Sequence, residues 1–305
     1  MYKNARLAPR AVLPLMLSLI MGLGACLPGV ARAEVCVGDD AGHELCLEAP
    51  AQRIVALSPS VTELLFAAGA GERVVGVVNF SDYPAAARSI PQVGGYDRLD
   101  LEALLALEPD LVVAWQGGNP REQVERLSRL GLPVYFSDVE DFAGIADTLE
   151  RFGTLAGTPD VAAAAAASLR EDVATLRERY ANADPVSVFY QVWEQPLMTI
   201  NGEHWISRSL ALCGGVNLFA DESTLAPRIG VESVLARDPE AIITGGMGDP
   251  NSTWLEAWRD FPQLTAVQRG NLFFVNPNLV QRAAPRLVEG TRQLCQRLEV
   301  ARGRR

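Results

Sequence analysis

The sequence has only two histidines, His43 and His204, which excludes a zinc site built from three of them. It contains no G-x-S-x-G turn and no Walker loop. Neither the strained serine of a hydrolase nor the phosphate cradle of a P-loop enzyme is therefore expected. Gly117-Gly118 and Gly245-Gly246 read as turns instead. After residue 33 no run is long and apolar enough to span a bilayer. Positive charge is short as well: 27 Lys and Arg against 37 Asp and Glu give a formal charge of -10. Residues 1–33 hold Lys3, Arg6, Arg10 and Arg32 and no acid, so losing them moves the charge from -10 to -14. A surface so acidic disfavours nucleic acid, whose binding rests on neutralising phosphates. These absences leave no catalytic residue and no metal ligand set to nominate, so no enzyme activity and no cofactor are expected.

What is present begins with an export signal. Lys3, Arg6 and Arg10 precede the apolar run 11–25, and Ala31-Arg32-Ala33 fits a small-residue cleavage site. Residues 1–33 read as a signal peptide. Leu23-Gly24-Ala25-Cys26 also resembles a lipobox, which would leave a lipid anchor at Cys26 in place of soluble export. Cys36, Cys46, Cys213 and Cys295 remain, an even number in an oxidising compartment, so disulfides are expected. Three pairings are possible. Cys36 and Cys46 flank the hairpin-like turn Gly38–Gly42, which favours local pairing there and leaves Cys213 with Cys295.

At 305 residues, 49% hydrophobic and 21% charged, the chain is globular and long enough for two domains. A thirteen-residue pattern occurs twice, as LEALLALEPDLVV from Leu101 and VESVLARDPEAII from Val231, offset by 130 residues. Each copy reads as a short helix stopped before a proline, then a buried strand. Strands alternate with helices throughout, which argues α/β lobes. The reading is an N-terminal lobe over 34–157 including a 36–46 hairpin, a bridging helix over 158–183, and a C-terminal lobe over 184–305. Ser60 and Glu63 are expected to form a capping box. Thr158 and Pro159 are expected to open the bridging helix. Val161, Ala165, Leu169, Val173, Leu176 and Tyr180 mark its apolar face, and its rigidity would restrict hinge motion. Gly-rich loops after strands in both lobes should meet at a cleft.

The aromatics favour a ligand in that cleft. Tyr83, Tyr96 and Trp115 lie in loops after strands, where a flat apolar ring with a polar tip suits a large planar ligand. Trp254 and Trp258 have helical spacing and read as packing residues. Glu102 and Glu232 occupy equivalent positions in the repeat. The helix dipole explains one acid in a first turn. Two at matched positions suggest paired acidic pegs for arginines of a dimeric partner.

The stretches LSPSVTELLFAAGA, SDYP, LEALLALEPDLVVAWQGGN, the CGG at Cys213, VESVLARDPEAI and RAAPR at Arg282 cover most of the chain beyond the leader. On them the chain resembles the periplasmic substrate-binding proteins of ABC importers, and SDYP with AWxGGN points to the cobalamin-carrying branch. The resemblance implies two α/β lobes joined by one long rigid helix. It implies a monomer that captures cobalamin or a related corrinoid in the periplasm and delivers it to a dimeric inner-membrane permease. Haem or a ferric siderophore is the alternative ligand, with Tyr83 as iron ligand. The resemblance further implies that Tyr83, Tyr96, Trp115 and Arg282 line the cleft, that Glu102 and Glu232 dock on the permease, and that Cys213 pairs with Cys295. The chain departs from the pattern at Tyr96 and Ala226, where tryptophans are familiar. It departs again at Met198, where a phenylalanine is familiar, and at Asn278, where an aspartate is. Met198 and Asn278 are counted with the ligand-binding set.

Overall fold

The structure is a computed structural model that describes residues 34–246 and 253–305. The signal peptide expected over 1–33, with Cys26, lies outside the described residues. An antiparallel hairpin comes first, β1 (Val35–Gly38) and β2 (Glu44–Leu47), with Cys36 opposite Cys46 and bonded to it. The next elements are β3 (Ile54–Ala56), α1 (Pro59–Ala67), β4 (Val74–Val77), the two-residue strands β5 (Gly94–Gly95) and β6 (Arg98–Leu99), and α2 (Leu101–Ala106). After them come β7 (Leu111–Trp115), α3 (Arg121–Arg129), β8 (Val134–Ser137) and α4 (Phe142–Ala156). The long helix α5 (Pro159–Tyr180) follows. Beyond it are β9 (Val186–Gln191), α6 (Trp205–Leu212), β10 (Gly215–Asn217), α7 (Val231–Arg237) and β11 (Ala241–Thr244). The chain ends with α8 (Thr253–Ala257), α9 (Thr265–Gln268), β12 (Leu272–Phe274), α10 (Pro277–Val280) and α11 (Leu287–Arg302).

Two four-stranded parallel sheets result, in the orders β4-β3-β7-β8 and β10-β9-β11-β12. Both orders have the same winding: the first strand of each sheet lies between its second and third. The sequence repeat now has a physical meaning. α2–β7 and α7–β11 each deliver the third strand of their sheet, and residues 111–114 and 241–244 are fully buried. Strands covered on both faces are expected to read as continuous apolar runs. The α/β architecture of two lobes and a long helix is the one the pattern implies.

α5 owes its rigidity to packing. Ala162, Ala166, Leu169, Val173, Leu176 and Tyr180 belong to one apolar cluster that also contains Ile54 and Val113 of the first sheet and Val188 and Ile243 of the second. The expected face was off by one residue over the first turns: Ala162 and Ala166 are buried, whereas Val161 is 53% exposed. The close approach of α4 decides this. A Cβ on Gly153 would stand 2.2 Å from the Cβ of Ala162, so only small residues fit at that crossing. Thr158 opens the helix without capping it, since its hydroxyl donates to the carbonyl of Ala68 at 2.7 Å. Pro159 does occupy the first turn.

The capping box is overturned as well. Ser58, not Ser60, caps α1, accepting from the N–H of Val61 at 3.2 Å with Pro59 in the first turn. Glu63 is buried and bonded elsewhere, as described below. Asp100 caps α2 as its position suggests, accepting from Ala103 at 3.0 Å.

The N-terminal hairpin covers β8, the edge strand of the first sheet. Asp40 donates its N–H to the carbonyl of Phe136 at 2.9 Å. Its carboxylate accepts from the N–H of Asp138 and pairs with Arg151, both at 2.7 Å. An edge so covered is closed to pairing with another chain.

Cys213 and Cys295 are both fully buried and bonded, tying α11 to the end of α6. This link spans 82 residues and the hairpin link 10. The loop-entropy model gives about 4–5 kcal/mol for the longer and about 3 for the shorter. Replacing the Cys213–Cys295 pair by alanines is therefore expected to lower the urea midpoint more than replacing Cys36–Cys46. Equal midpoints in the two variants would contradict this.

Candidate functional site

The carboxyl ends of the parallel strands carry the site, as in open α/β sheets generally. A cavity of about 530 Å³ lies there, within the range of small-molecule pockets. Ser58 and Pro59 enter it after β3, Phe80 and Asp82 after β4, and Val139 after β8; Ser137 is the last residue of β8, and Trp115 is the last residue of β7 rather than part of the loop beyond it. The second sheet contributes Trp193 after β9 and Pro277 and Asn278 after β12, with Trp205, Gln281 and Arg282 beside them.

Five aromatics form the walls: Phe80, Tyr96, Trp115, Trp193 and Trp205. The Tyr96 and Trp115 rings sit 6.0 Å apart at 50°. Asn119 sets them. It is buried, donates to the carbonyls of Leu57 and Tyr96 at 2.8 Å each, and accepts from the N–H of Trp115 at 2.7 Å. Gly118 is required because a Cβ there would stand 2.0 Å from the Trp115 ring. The GGN that follows Trp115 is thus a bracket for the tryptophan, not a phosphate loop.

Charge in the cavity is paired. Burial opposes ionisation of Asp82, but the hydrogen bond and charge of Arg282 outweigh it and hold the carboxyl below its usual range. Arg282 Nη1 reaches Asp82 at 2.8 Å and Glu63 at 2.9 Å, and Nη2 donates to the carbonyl of Phe80 at 3.0 Å. The remaining polar groups on the walls include Ser60, Ser137, Asn278 and Gln281, all neutral. Such a cavity offers flat apolar contact and hydrogen bonds, with no uncompensated charge among the described residues that line it.

The structure brings Tyr96, Trp115, Asn278 and Arg282 into the lining of one cavity. Tyr83 is not among the lining residues. It lines an adjoining depression with Phe66, Pro84 and Pro285, its ring 3.6 Å from the guanidinium carbon of Arg286. Met198 is set back too, bridging Trp193 and Arg228. Trp193, Trp205 and Phe80 line the cavity without being expected there from the sequence, and Phe80 is the most exposed of the three. It is 67% exposed with a positive φ of 62°, an unusual backbone for an aromatic residue. Its signal was present, since it stands one residue before the SDYP stretch. Trp258 packs in the core against Phe189 and donates to Gln191 at 2.8 Å. Trp254 contacts the Trp193 ring at 6.2 Å.

Glu102 and Glu232 sit in the first turns of α2 and α7, both exposed and both outside the cavity lining. Both first turns are tied to loops at the carboxyl edges of the sheets. Asp100 N–H donates to Val93, whose N–H bonds Val77, and Ile229 N–H donates to Leu197. No ion pair engages either glutamate among the described residues.

His204 buttresses the wall behind Trp205. Its ring lies 4.1 Å from the Trp205 ring and its Nδ1 accepts from the N–H of Ile206 at 3.1 Å, capping α6. Burial pushes its pKa from the ordinary 6.5 down to about 4. Between those values the unfolded chain binds a proton that the folded chain refuses, so stability falls as pH falls through the window. At 1.36 kcal/mol per unit, acidification from pH 7 to 5 is expected to cost about 2 kcal/mol through this group. His204→Asn keeps an acceptor at the cap and should remove that part of the pH dependence in urea titrations. An unchanged slope would show that other groups carry it.

Comparison with known proteins places this geometry. The chain is 36% identical over 252 residues to the vitamin B12-binding protein of Vibrio cholerae serotype O1, covering 83% of this chain and 91% of that protein. It is 37% identical over 248 residues to the vitamin B12-binding protein of Yersinia pestis, covering 81% and 86%. Among solved structures, the periplasmic vitamin B12 binding protein BtuF of Vibrio cholerae superposes with a TM-score of 0.77 at 36% identity, over 83% of this chain and 98% of that one. The apo heme-binding protein RhuT from Roseiflexus sp. RS-1 shares the fold, with a TM-score of 0.74 at 21% identity over 82% and 99%. The family profile described as periplasmic binding protein matches residues 54–279, and the chain belongs to that family.

Proposed function

We propose that this protein is a periplasmic, non-enzymatic carrier that captures cobalamin or a related corrinoid and delivers it to an inner-membrane ABC importer. The observation that carries the reading is the aromatic cavity at the carboxyl ends of both sheets, with its charges already paired. A corrinoid presents a broad, largely apolar ring with a fringe of amides. Phe80, Tyr96 and Trp115 match the ring, and Asn278, Gln281 and the serines match the amides. The similarity to vitamin B12-binding proteins over more than four-fifths of the chain supports the same ligand. The corrinoid is larger than the cavity, so in this reading it projects over the rim toward the adjoining depression that Tyr83 lines.

A haem or ferric-siderophore carrier of the same fold is less well supported. The iron ligand that reading needs, Tyr83, stacks on Arg286 outside the cavity. Absorption spectra separate the two. Added cyanocobalamin should co-elute with the protein in gel filtration, whereas haemin should show no shifted Soret band. A shifted Soret band with no retained cyanocobalamin would reverse the assignment.

Delivery falls to Glu102 and Glu232. Each is an exposed carboxylate in a first helical turn, one per sheet, at equivalent steps of the two windings. In this reading each meets an arginine on one subunit of a two-fold permease, which a monomeric carrier with a repeated peg can engage symmetrically.

A further inference from the structure

Glu63 is a carboxylate with a side chain only 2% exposed, in a helix of the first lobe, and its partners come from the far end of the chain. Arg282 reaches it at 2.9 Å, and Arg286 reaches it twice, at 2.6 and 2.9 Å. These bonds join residues 219 and 223 positions apart. Arg282 also holds Asp82 and the carbonyl of Phe80, and Arg286 stacks on Tyr83. Arg282, between α10 and α11, and Arg286, at the start of α11, thus grip α1 and the 80–83 loop of the other lobe.

We infer that Glu63, Asp82, Arg282 and Arg286 form an interlobe latch, parallel to α5, which sets the resting separation of the cleft walls and positions Phe80. Four observations support it. The cluster has two negative and two positive groups, so its charge closes on itself. Two acceptors on Glu63 take three arginine N–H bonds, and charge-assisted bonds of this multiplicity are directional. The cluster separates the main cavity, which Asp82 and Arg282 line, from the depression lined by Glu63, Tyr83 and Arg286. Among the described residues the other interlobe ion pair, Asp141–Arg208, is longer at 3.4 Å, with both side chains about two-fifths exposed. Such an exposed pair contributes little.

The latch also explains the backbone of Phe80. A non-glycine residue at φ 62° is held there by its surroundings. The Arg282 bond to its carbonyl is a constraint supplied from the opposite lobe. Glu63 is therefore a positioning residue: it fixes the guanidinium of Arg282, which in turn fixes the loop that displays an aromatic to the cleft. Opening the cleft for ligand release requires these bonds to separate.

The corrinoid assignment enters only one arm of the test. Nitroxide labels at Ser128→Cys and Ser233→Cys, on α3 and α7, report the distance between lobes in the ligand-free full-length exported protein. In Glu63→Gln and in Arg286→Gln the distance distribution should shift to longer values and broaden by about twofold, as a minor open state gains population. Arg286→Gln leaves the Arg282–Glu63 pair in place, so that variant keeps its buried charge compensated. Cyanocobalamin dissociation from both variants should quicken by about tenfold while association stays within about twofold, since affinity differences reside mostly in the off-rate. A parent-like distance distribution in either folded variant overturns the latch. Failure of the unsubstituted protein to retain cyanocobalamin, alongside longer distances in the variants, overturns the ligand assignment and leaves the latch standing.

Discussion

Trp115→Ala should weaken cyanocobalamin binding by about 1–3 kcal/mol, the loss expected when an aromatic anchor is removed from a cleft. Trp115 closes the first sheet at its third strand, beside Tyr96 at 6.0 Å. Its ring is braced by Asn119 and made possible by Gly118, so it meets the ligand already ordered and pays little rotamer entropy on binding. Phe80→Ala should lose a comparable amount, because that ring is 67% exposed at the cavity and gains most from being covered. Tyr83→Ala should lose less, since its ring is already engaged by Arg286. Calorimetric titration of the three variants ranks them. A loss at Tyr83 exceeding that at Trp115 would mean that the ligand sits over the adjoining depression rather than in the cavity.

Combining Glu102→Ala with Glu232→Ala should abolish corrinoid uptake in cells that depend on this protein, while leaving corrinoid affinity intact. Truncating one partner of a charge-assisted pair at an interface costs about 2–5 kcal/mol. Two such pairs on one rigid carrier are engaged together, and the loss of both should exceed what a single variant shows. Neither residue lines the cavity, and no ion pair in the described residues needs either of them. Their removal should therefore leave the fold undisturbed. Uptake and affinity measured side by side decide the matter. Normal uptake by the double variant, or weakened corrinoid binding by either single variant, would assign both glutamates to the helix dipole alone.

Much of the architecture was legible because it rests on local and periodic signals. The 130-residue repeat marks the third strand of both sheets, since strands buried on two faces must be apolar throughout. Both cysteine pairs were legible, the local one from its turn and the distant one by resemblance. α4 was passed over although Asp141 caps it and Ile145, Leu149 and Phe152 recur at helical spacing. Its central Gly153 weakens the pattern, and that glycine is there for the crossing with Ala162. The site was legible where an aromatic stands at the carboxyl end of a strand or just beyond it, as at Trp115 and Tyr96. It was not legible where long-range pairing decides the outcome. Glu63 looks like a capping residue until arginines more than two hundred positions away claim it. Tyr83 looks like a cleft aromatic until Arg286 covers one face.

Titration of the exported protein with cyanocobalamin in a calorimeter, with cobinamide and haemin as comparators, tests the central claim most directly. The account predicts one-to-one binding without added metal at nanomolar affinity, roughly 12 kcal/mol. No heat with either corrinoid, together with tight binding of haemin, would contradict it.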